Sequence, residues 1–248
     1  MLPLNLDQLA HTDIQRLIDS EVAESLTLEY KEKLPSGQSE EKREFLYDVA
    51  AMANEAGGDI VYGIIDRRAG VSNQATGIAD RLAGMKIDSL QAEITRLSNY
   101  IRDGISPRIV GVRMQAIVSP EGDTLVIRVP RSWNKPHMVI FGGADRFYGR
   151  SSTGKFPMNV EQIGRAFSEE QELSEKIKSW REHRAELIEE KRGPVAVTGP
   201  VTMLFHVIPA SAFLDRIFVR VGLSLTMTNS ICTYHMSAPI FVITRMVA

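Results

Sequence analysis

The sequence Glu-Ser-Leu-Thr-Leu-Glu-Tyr-Lys at residues 24–31 is the part of the chain on which the predicted fold depends. Its apolar residues alternate with polar ones, and this period of two predicts a half-buried β-strand. Glu29 and Lys31 then share the polar face of the strand, opposite the apolar side chains. The stretch therefore places an acid and a base side by side, with a further acid, Glu24, at its start.

A helix and a second strand follow this stretch. Apolar residues recur at helical spacing over residues 45–53, and Asn54, Gly57 and Gly58 predict the end of that helix. A short apolar strand at residues 60–65 then stops at Asp66. Similar patterns predict strands at 109–117, 124–129, 138–141 and 146–148, and helices at 5–20 and 87–101. We therefore predict an α+β fold, a mixed β-sheet flanked by helices.

Three carboxylates lie at the ends or on the polar faces of these predicted strands: Glu24, Glu29 and Asp66. Hard divalent cations such as Mg²⁺ and Mn²⁺ bind carboxylate oxygens and usually take only a few of them from protein. A lysine beside such a cluster, here Lys31, can hold a phosphate or stabilise developing negative charge. Solvated acids at strand ends are also common, so the spacing alone leaves both a metal site and ordinary surface acids open.

Four segments together resemble the AlbA-like core domain of the Schlafen family. They are the Glu-Ser pair at 24–25, Leu-Glu-Tyr-Lys at 28–31, Ala-Asn-Glu-Ala-Gly-Gly at 53–58 and Tyr-Gly-Ile-Ile-Asp at 62–66. The similarity extends from about residue 17 to about residue 167 and includes Lys-Pro-His at 135–137. The family pattern often has two acids after the glycine-containing strand, whereas here Ile65 replaces the first and only Asp66 remains.

The resemblance implies an activity. In the Schlafen nucleases the acids that match Glu24, Glu29 and Asp66 form a metal-binding triad that cleaves RNA, and Lys31 matches the lysine of the strand. It thus implies a metal-dependent endoribonuclease that uses Mg²⁺ or Mn²⁺ and acts on structured RNA such as tRNA. Animal relatives pair two similar lobes, so we expect this chain, with one lobe, to form a homodimer. The alternative is a non-catalytic nucleic-acid- or ATP-binding regulatory module, since many bacterial relatives are described only in those terms.

The formal net charge of −2 provides no overall basic field, so any RNA-binding surface must be a local patch. The region around residues 149–155 resembles a phosphate-binding loop up to its lysine, but Phe156 occupies the position of the Mg²⁺-binding Ser or Thr, so a chance match is favoured. An ordinary solvated turn is the alternative to a phosphate-binding patch. We predict that five basic side chains contact RNA phosphates: Arg146, Arg150, Lys155, Arg96 and Arg102.

Two further residues have open interpretations. Asn54 is either a helix cap or a site residue. His137 is a proton donor, a phosphate contact or, as is commoner for a lone histidine in a loop, neither. No Gly-x-Ser-x-Gly segment is present, so acyl transfer has no support.

A charge-dense helix is predicted over residues 159–191, and Gly193 and Pro194 end it. We therefore predict a boundary near Arg192, with the core domain and its flanking helices at 1–192 and a small apolar β-rich region at 193–248. Cys232 is the only cysteine, which rules out an internal disulfide and suits a reducing cytoplasm. No apolar run approaches the ~20 residues that span a membrane, so we predict a cytoplasmic protein with no membrane span.

Overall fold

The computed structural model describes residues 2–69, 74–143, 145–190 and 192, together with the backbone of two strands at 202–209 and 240–247. The chain forms two compact units, residues 1–167 and 168–248. The division falls within a long helix, α4 (Val160–Glu189), whose predicted existence is confirmed. The predicted domain boundary near Arg192, between the core domain and the β-rich region, stays a prediction. No helix in the described ranges is long and apolar enough to cross a membrane.

The central sheet of the first unit has four strands in the order β1, β2, β7, β6. The pair β1–β2 is parallel, and the other two pairs are antiparallel, so the predicted mixed sheet is confirmed. The strands are β1 (Leu28–Lys31), β2 (Gly57–Tyr62), β6 (Arg113–Ile117) and β7 (Thr124–Pro130).

Both faces of the central sheet are covered by apolar side chains. Ile60 and Ile127 pack with the helices α2 (Ser39–Asn54) and α3 (Leu90–Gly104) in one core cluster. Val61 and Val126, which adjoin Ile60 and Ile127 in the same strands, pack in a second cluster. That cluster includes a 3₁₀ helix (Leu6–Gln8) and α1 (His11–Asp19), so the predicted N-terminal helix is divided into two short ones. Alternation along β2 and β7 therefore places helices on both sides.

Helix α2 is buried around its whole circumference from Phe45 to Asn54. It contacts the central sheet on one side and, on another, strands of a second sheet. That sheet has the order β10, β9, β8, β5. Its strands are β5 (Ile105–Ser106), β8 (Met138–Val139), β9 (Arg146–Ser151) and β10 (Gly154–Pro157). A helix enclosed in this way is expected to be apolar all round, so any charged residue on it requires a partner.

Several strand boundaries differ from those predicted: β6 begins at Arg113, β8 ends at Val139 and β9 extends to Ser151. Two further differences affect the candidate site. β1 begins at Leu28, and residues 25–28 form a tight turn closed by a bridge between Ser25 and Leu28. β2 ends at Tyr62 because Gly63, with φ +93°, redirects the chain into β3 (Ile64–Ala69), which pairs with β4 (Gln74–Leu82). Asp66 is consequently within a hairpin strand and does not follow a strand end.

In the second unit, β11 (Thr202–Pro209) pairs with β12 (Ile240–Val247) in an antiparallel ladder. The rest of the predicted β-rich region, residues 193–201, 210–239 and 248, lies outside the described residues. The α+β fold class is confirmed.

Candidate functional site

Glu24 is held at the edge of β1 by its backbone and its side chain. Its amide donates to the Gly77 carbonyl of β4 at 2.7 Å. Its carboxylate Oε1 accepts the Tyr30 amide of β1, also at 2.7 Å. Burial raises the pKa of the Glu24 carboxyl, and the hydrogen bond from Tyr30 opposes this effect only in part. A nearby cation would therefore stabilise the charged form of this half-buried acid.

Asp66 reaches the same glycine from β3. Its Oδ2 accepts the Gly77 amide at 3.2 Å, and its Oδ1 lies 3.6 Å from an Arg68 guanidinium nitrogen. Gly77 has φ +69°, and a Cβ placed there would lie 3.0 Å from Glu24 Oε2. The carboxylates of Glu24 and Asp66 therefore both lie at one glycine, and a side chain at this position would crowd Glu24.

Glu29 has a different environment. Its Oε1 lies 2.6 Å from Lys31 Nζ, and its Oε2 accepts a hydrogen bond from the Arg150 guanidinium. Burial alone would raise the pKa of the Glu29 carboxyl, but Lys31 and Arg150 outweigh burial and hold the pKa below its ordinary value. Glu29 is therefore an ionised carboxylate with a cation on each oxygen.

Lys31 is paired with two acids. Besides Glu29, its ammonium lies 3.4 Å from Oδ2 of Asp48, a residue of α2 whose side chain is 2% exposed. Burial would lower the pKa of Lys31, but the charges of Asp48 and Glu29 overcome it and raise the pKa above its ordinary value. Asp48 was not among the predicted site residues. Its position, an acid within the apolar run of a helix, could have indicated a buried charge that needs a partner.

A divalent metal ion needs several oxygen ligands that lie close together. No group of three or more His, Cys, Asp or Glu side chains is arranged to hold a metal ion within the ranges that the structure describes. Mg²⁺ is commonly bound by one or two carboxylates, with water and substrate phosphate completing its ligands. Glu24 and Asp66 supply two carboxylates beside Gly77, and their binding of an ion stays a prediction. A third ligand from Glu29 stays a prediction.

Arg150 is the least accessible of the five basic residues predicted to bind RNA, with a side chain that is 2% exposed. It donates to the carbonyls of Ser25, Leu26 and Leu28 at 3.0, 3.1 and 3.2 Å, in addition to Glu29. These bonds hold the turn that joins Glu24 to β1. In this arrangement the guanidinium organises the turn and is turned away from solvent.

The other four basic residues differ in their availability. Lys155 lies 2.6 Å from Asp48 and 2.8 Å from Glu44, on an antiparallel hairpin that has no helix after its loop, unlike a phosphate-binding loop. Arg96 donates to the Pro35 carbonyl at 2.7 Å and also pairs with Glu93. The remaining two, Arg102 and Arg146, are exposed, although Arg102 pairs with Asp103. Their role in RNA binding stays a prediction.

Asn54 and His137 are parts of one buried contact. The Asn54 amide donates to the carbonyls of His137 and Tyr148 at 3.0 and 2.8 Å, and its oxygen accepts the His137 amide at 2.6 Å. His137 is fully buried, and its Nδ1 lies 2.7 Å from the Pro107 carbonyl. Asn54 therefore joins the end of α2 to the second sheet, and neither side chain lies at the Glu24–Asp66 site.

The chain is similar to solved structures with which it shares little sequence identity. A solved structure of the DIP2311 protein from Corynebacterium diphtheriae is 17% identical, with a TM-score of 0.39; the match covers 78% of this chain and 34% of that one. The N-terminal domain of a RecG-related protein from Nitrosomonas europaea is 21% identical, with a TM-score of 0.40, over 54% of this chain and 83% of that one. The chain thus spans about a third of the first of these structures.

A search of curated proteins gave no significant match. The family model described as Schlafen, AlbA_2 matches residues 24–159, which is more than half of the chain. The match begins at Glu24 and contains Glu29, Lys31 and Asp66. The chain belongs to the Schlafen AlbA_2 family.

Proposed function

We propose that this protein is a metal-dependent endoribonuclease that cleaves structured RNA such as tRNA. The family match supports a function connected with nucleic acid. The observation that carries the proposal is that Glu24 and Asp66 both lie at Gly77, while the charges of the Glu29–Lys31 pair are near enough to act on the Glu24 carboxyl. Carboxylates and an ammonium group side by side suit the hydrolysis of a phosphodiester, which needs an activated water and compensation of charge at phosphorus.

Glu24 and Asp66 would hold a Mg²⁺ or Mn²⁺ ion. When bound, the ion lowers the pKa of a ligated water and neutralises phosphate charge. The raised pKa of Glu24 supports this assignment, because a half-buried carboxylate without a cation is less stable in its charged form. Tyr30 and Gly77 donate backbone hydrogen bonds to the two carboxylates and so fix their orientation.

Lys31 would stabilise the negative charge that develops on the phosphate. Its side chain is 32% exposed, so the ammonium can reach a bound phosphate while two acids keep it charged. Glu29 would hold Lys31 in place, at 2.6 Å, and would serve as a metal ligand only if Lys31 or Arg150 moved. Exposed Arg146 and Arg102 would contact the RNA backbone, and a two-fold homodimer would complete the groove.

The direct test compares Glu24→Gln and Asp66→Asn with the wild type on tRNA. Each substitution keeps the size of the side chain and removes one carboxylate charge, so we expect Mg²⁺- or Mn²⁺-dependent cleavage to fall by about 100-fold. Asp19→Asn, an exposed acid on α1, is the matched control and should cleave normally. Cleavage rates would be measured on folded samples verified by circular dichroism. Undiminished cleavage by both site variants would show that the active site lies elsewhere.

A substitution at Gly77 tests the geometry without removing a carboxylate. Gly77→Ala adds a Cβ 3.0 Å from Glu24 Oε2 and strains a left-handed backbone by about 1–2 kcal/mol, so we expect Glu24 to shift and cleavage to fall about tenfold or more. Gly84→Ala is the control, because φ is +68° there and the nearest atom to a new Cβ is 4.0 Å away. It should lose similar stability but retain cleavage. Equal cleavage by the two variants would contradict the proposed role of Gly77.

One observation favours a second candidate, a non-catalytic RNA-binding module. Both oxygens of Glu29 bond to cations, which leaves two of the three family acids for a metal ion. Such a module would bind tRNA with or without Mg²⁺, would leave it intact, and would bind it as well after Glu24→Gln. Electrophoresis of the RNA after binding separates the two candidates.

A further inference from the structure

Six side chains form a continuous series of ion pairs with alternating charge in the first unit. Lys31 joins Glu29 to Asp48, at 2.6 and 3.4 Å, and Lys155 joins Asp48 to Glu44, at 2.6 and 2.8 Å. The series, named here the ionic chain, starts at the buried Arg150 and ends at the half-exposed Glu44. It comprises Arg150, Glu29, Lys31, Asp48, Lys155 and Glu44.

Asp48 lies in the middle of the ionic chain, and its side chain is the least exposed of the three acids. Its side chain is 2% exposed, compared with 13% for Glu29 and 56% for Glu44. Taking a carboxylate out of water in the buried, largely apolar half of α2, residues 45–54, is costly unless cations compensate it. Here one cation comes from β1 and the other from β10, one on each oxygen. The helix therefore presents a fixed negative charge to two lysines.

The consequence is clearest for Lys31. A lysine side chain has four rotatable bonds and gains little from a single exposed ion pair. Glu29 lies two residues away on the same strand face and contacts the ammonium from one side. Asp48 contacts it from a different element, so two separate backbone segments define where the ammonium lies. Two contacts of this kind restrict the ammonium to a small volume between Glu29 and Asp48.

We propose that Asp48 is a positioning residue, which holds the Lys31 ammonium where it meets a phosphate of the RNA substrate. This inference rests on the proposed nuclease function for its catalytic part. Asp48 touches neither metal nor substrate. It acts through Lys31. Because Asp48 is buried in the folded protein, the Lys31 ammonium is already in position before the substrate binds.

The first measurement is steady-state cleavage by Asp48→Asn, which keeps the shape of the side chain and removes its charge. A displaced ammonium costs transition-state stabilisation, so we expect kcat to fall by about 10–100-fold with KM nearly unchanged. Lys31→Met should lower kcat at least as much, and Asp48→Asn should add almost nothing to it. Glu44→Gln, which removes only the exposed partner of Lys155, should leave kcat within about twofold of the wild type.

The second measurement needs no activity. Urea midpoints would be compared for Lys31→Met, Asp48→Asn and the double variant. Each single change leaves a buried charge short of a partner, so the double variant should lose less than the sum of the two single losses. The pair Lys31→Met and Asp19→Asn, which lies outside the ionic chain on α1, should be additive. Additive midpoints for Lys31 and Asp48, or a full kcat in Asp48→Asn, overturn the inference. A wild-type protein that never cleaves RNA refutes the nuclease proposal instead, while the urea midpoints still decide whether Asp48 fixes Lys31.

Discussion

Arg150→Ala is expected to destabilise the first unit by about 3–5 kcal/mol, a large part of the 5–15 kcal/mol that is typical of a folded domain. The guanidinium is 2% exposed and bonds to the carbonyls of Ser25, Leu26 and Leu28 as well as to Glu29. Removing it takes one donor from each of these carbonyls, of which Ser25 and Leu28 keep a backbone amide, and leaves Glu29 with one cation in place of two. The measurement is the free energy of unfolding in urea.

The control for Arg150 is Arg146→Ala, an exposed arginine on the same strand. Its removal should cost only about 0.5–1.5 kcal/mol of the free energy of unfolding, because this exposed side chain gives up a single hydrogen bond, to the Tyr148 hydroxyl. The two variants also separate roles in RNA binding. A folded Arg150→Ala protein of normal stability with weakened RNA binding would contradict the structural role and restore Arg150 as a phosphate contact. Arg150→Lys should recover only part of the stability, since an ammonium cannot reach all four acceptors at once.

Gly57→Ala is the second large effect, with an expected loss of about 2–6 kcal/mol. Gly57 has φ +73°, a conformation that costs a residue with a Cβ about 1–2 kcal/mol. The new Cβ would also lie 2.5 Å from the Arg131 amide nitrogen and 2.8 Å from the Val129 carbonyl oxygen. The first atom lies just after β7 and the second within it, so the clash is removed only if β2 and β7 separate at the centre of the sheet.

The same substitution has the opposite sign at Gly164. That glycine lies in α4, and a Cβ there meets no atom within 4 Å, so Gly164→Ala should stabilise the protein by about 0.5–1 kcal/mol. Thermal unfolding of the two variants beside the wild type provides the comparison. A Gly57→Ala protein as stable as the wild type would mean that β2 does not approach β7 this closely.

Alternation and helical spacing were sufficient to predict most elements of the first unit. The helix that ends at Asn54, the strand at 124–130 and the long charged helix appear where their patterns place them, whereas the strand predicted from residue 109 begins at Arg113. The predictions were less accurate where a single glycine changes the direction of the chain. Gly63 divides one apolar run into β2 and β3, and nothing in the pattern of the run distinguishes a bend from a continuous strand.

The sequence predicted which residues form the candidate site but not which of them, or which other residues, they pair with. Glu24, Glu29, Lys31 and Asp66 are identified by local motifs, and the structure brings Glu24 and Asp66 to Gly77. Two partners were missed for the same reason. Asp48 lies 17 positions from Lys31 in the chain, and Arg150 lies 121 positions from Glu29, so no local spacing connects them.

The sequence by itself determined the elements, the family and the acids, because each depends on side-chain periodicity or on a few adjacent residues. Only the tertiary structure decided which charges neutralise one another. Ion pairing depends on distances of a few ångströms between segments far apart along the chain, and burial multiplies its effect by removing water. The roles of Arg150, Asp48 and Gly77 therefore follow from the packing of α2, β9 and the β3–β4 hairpin around β1.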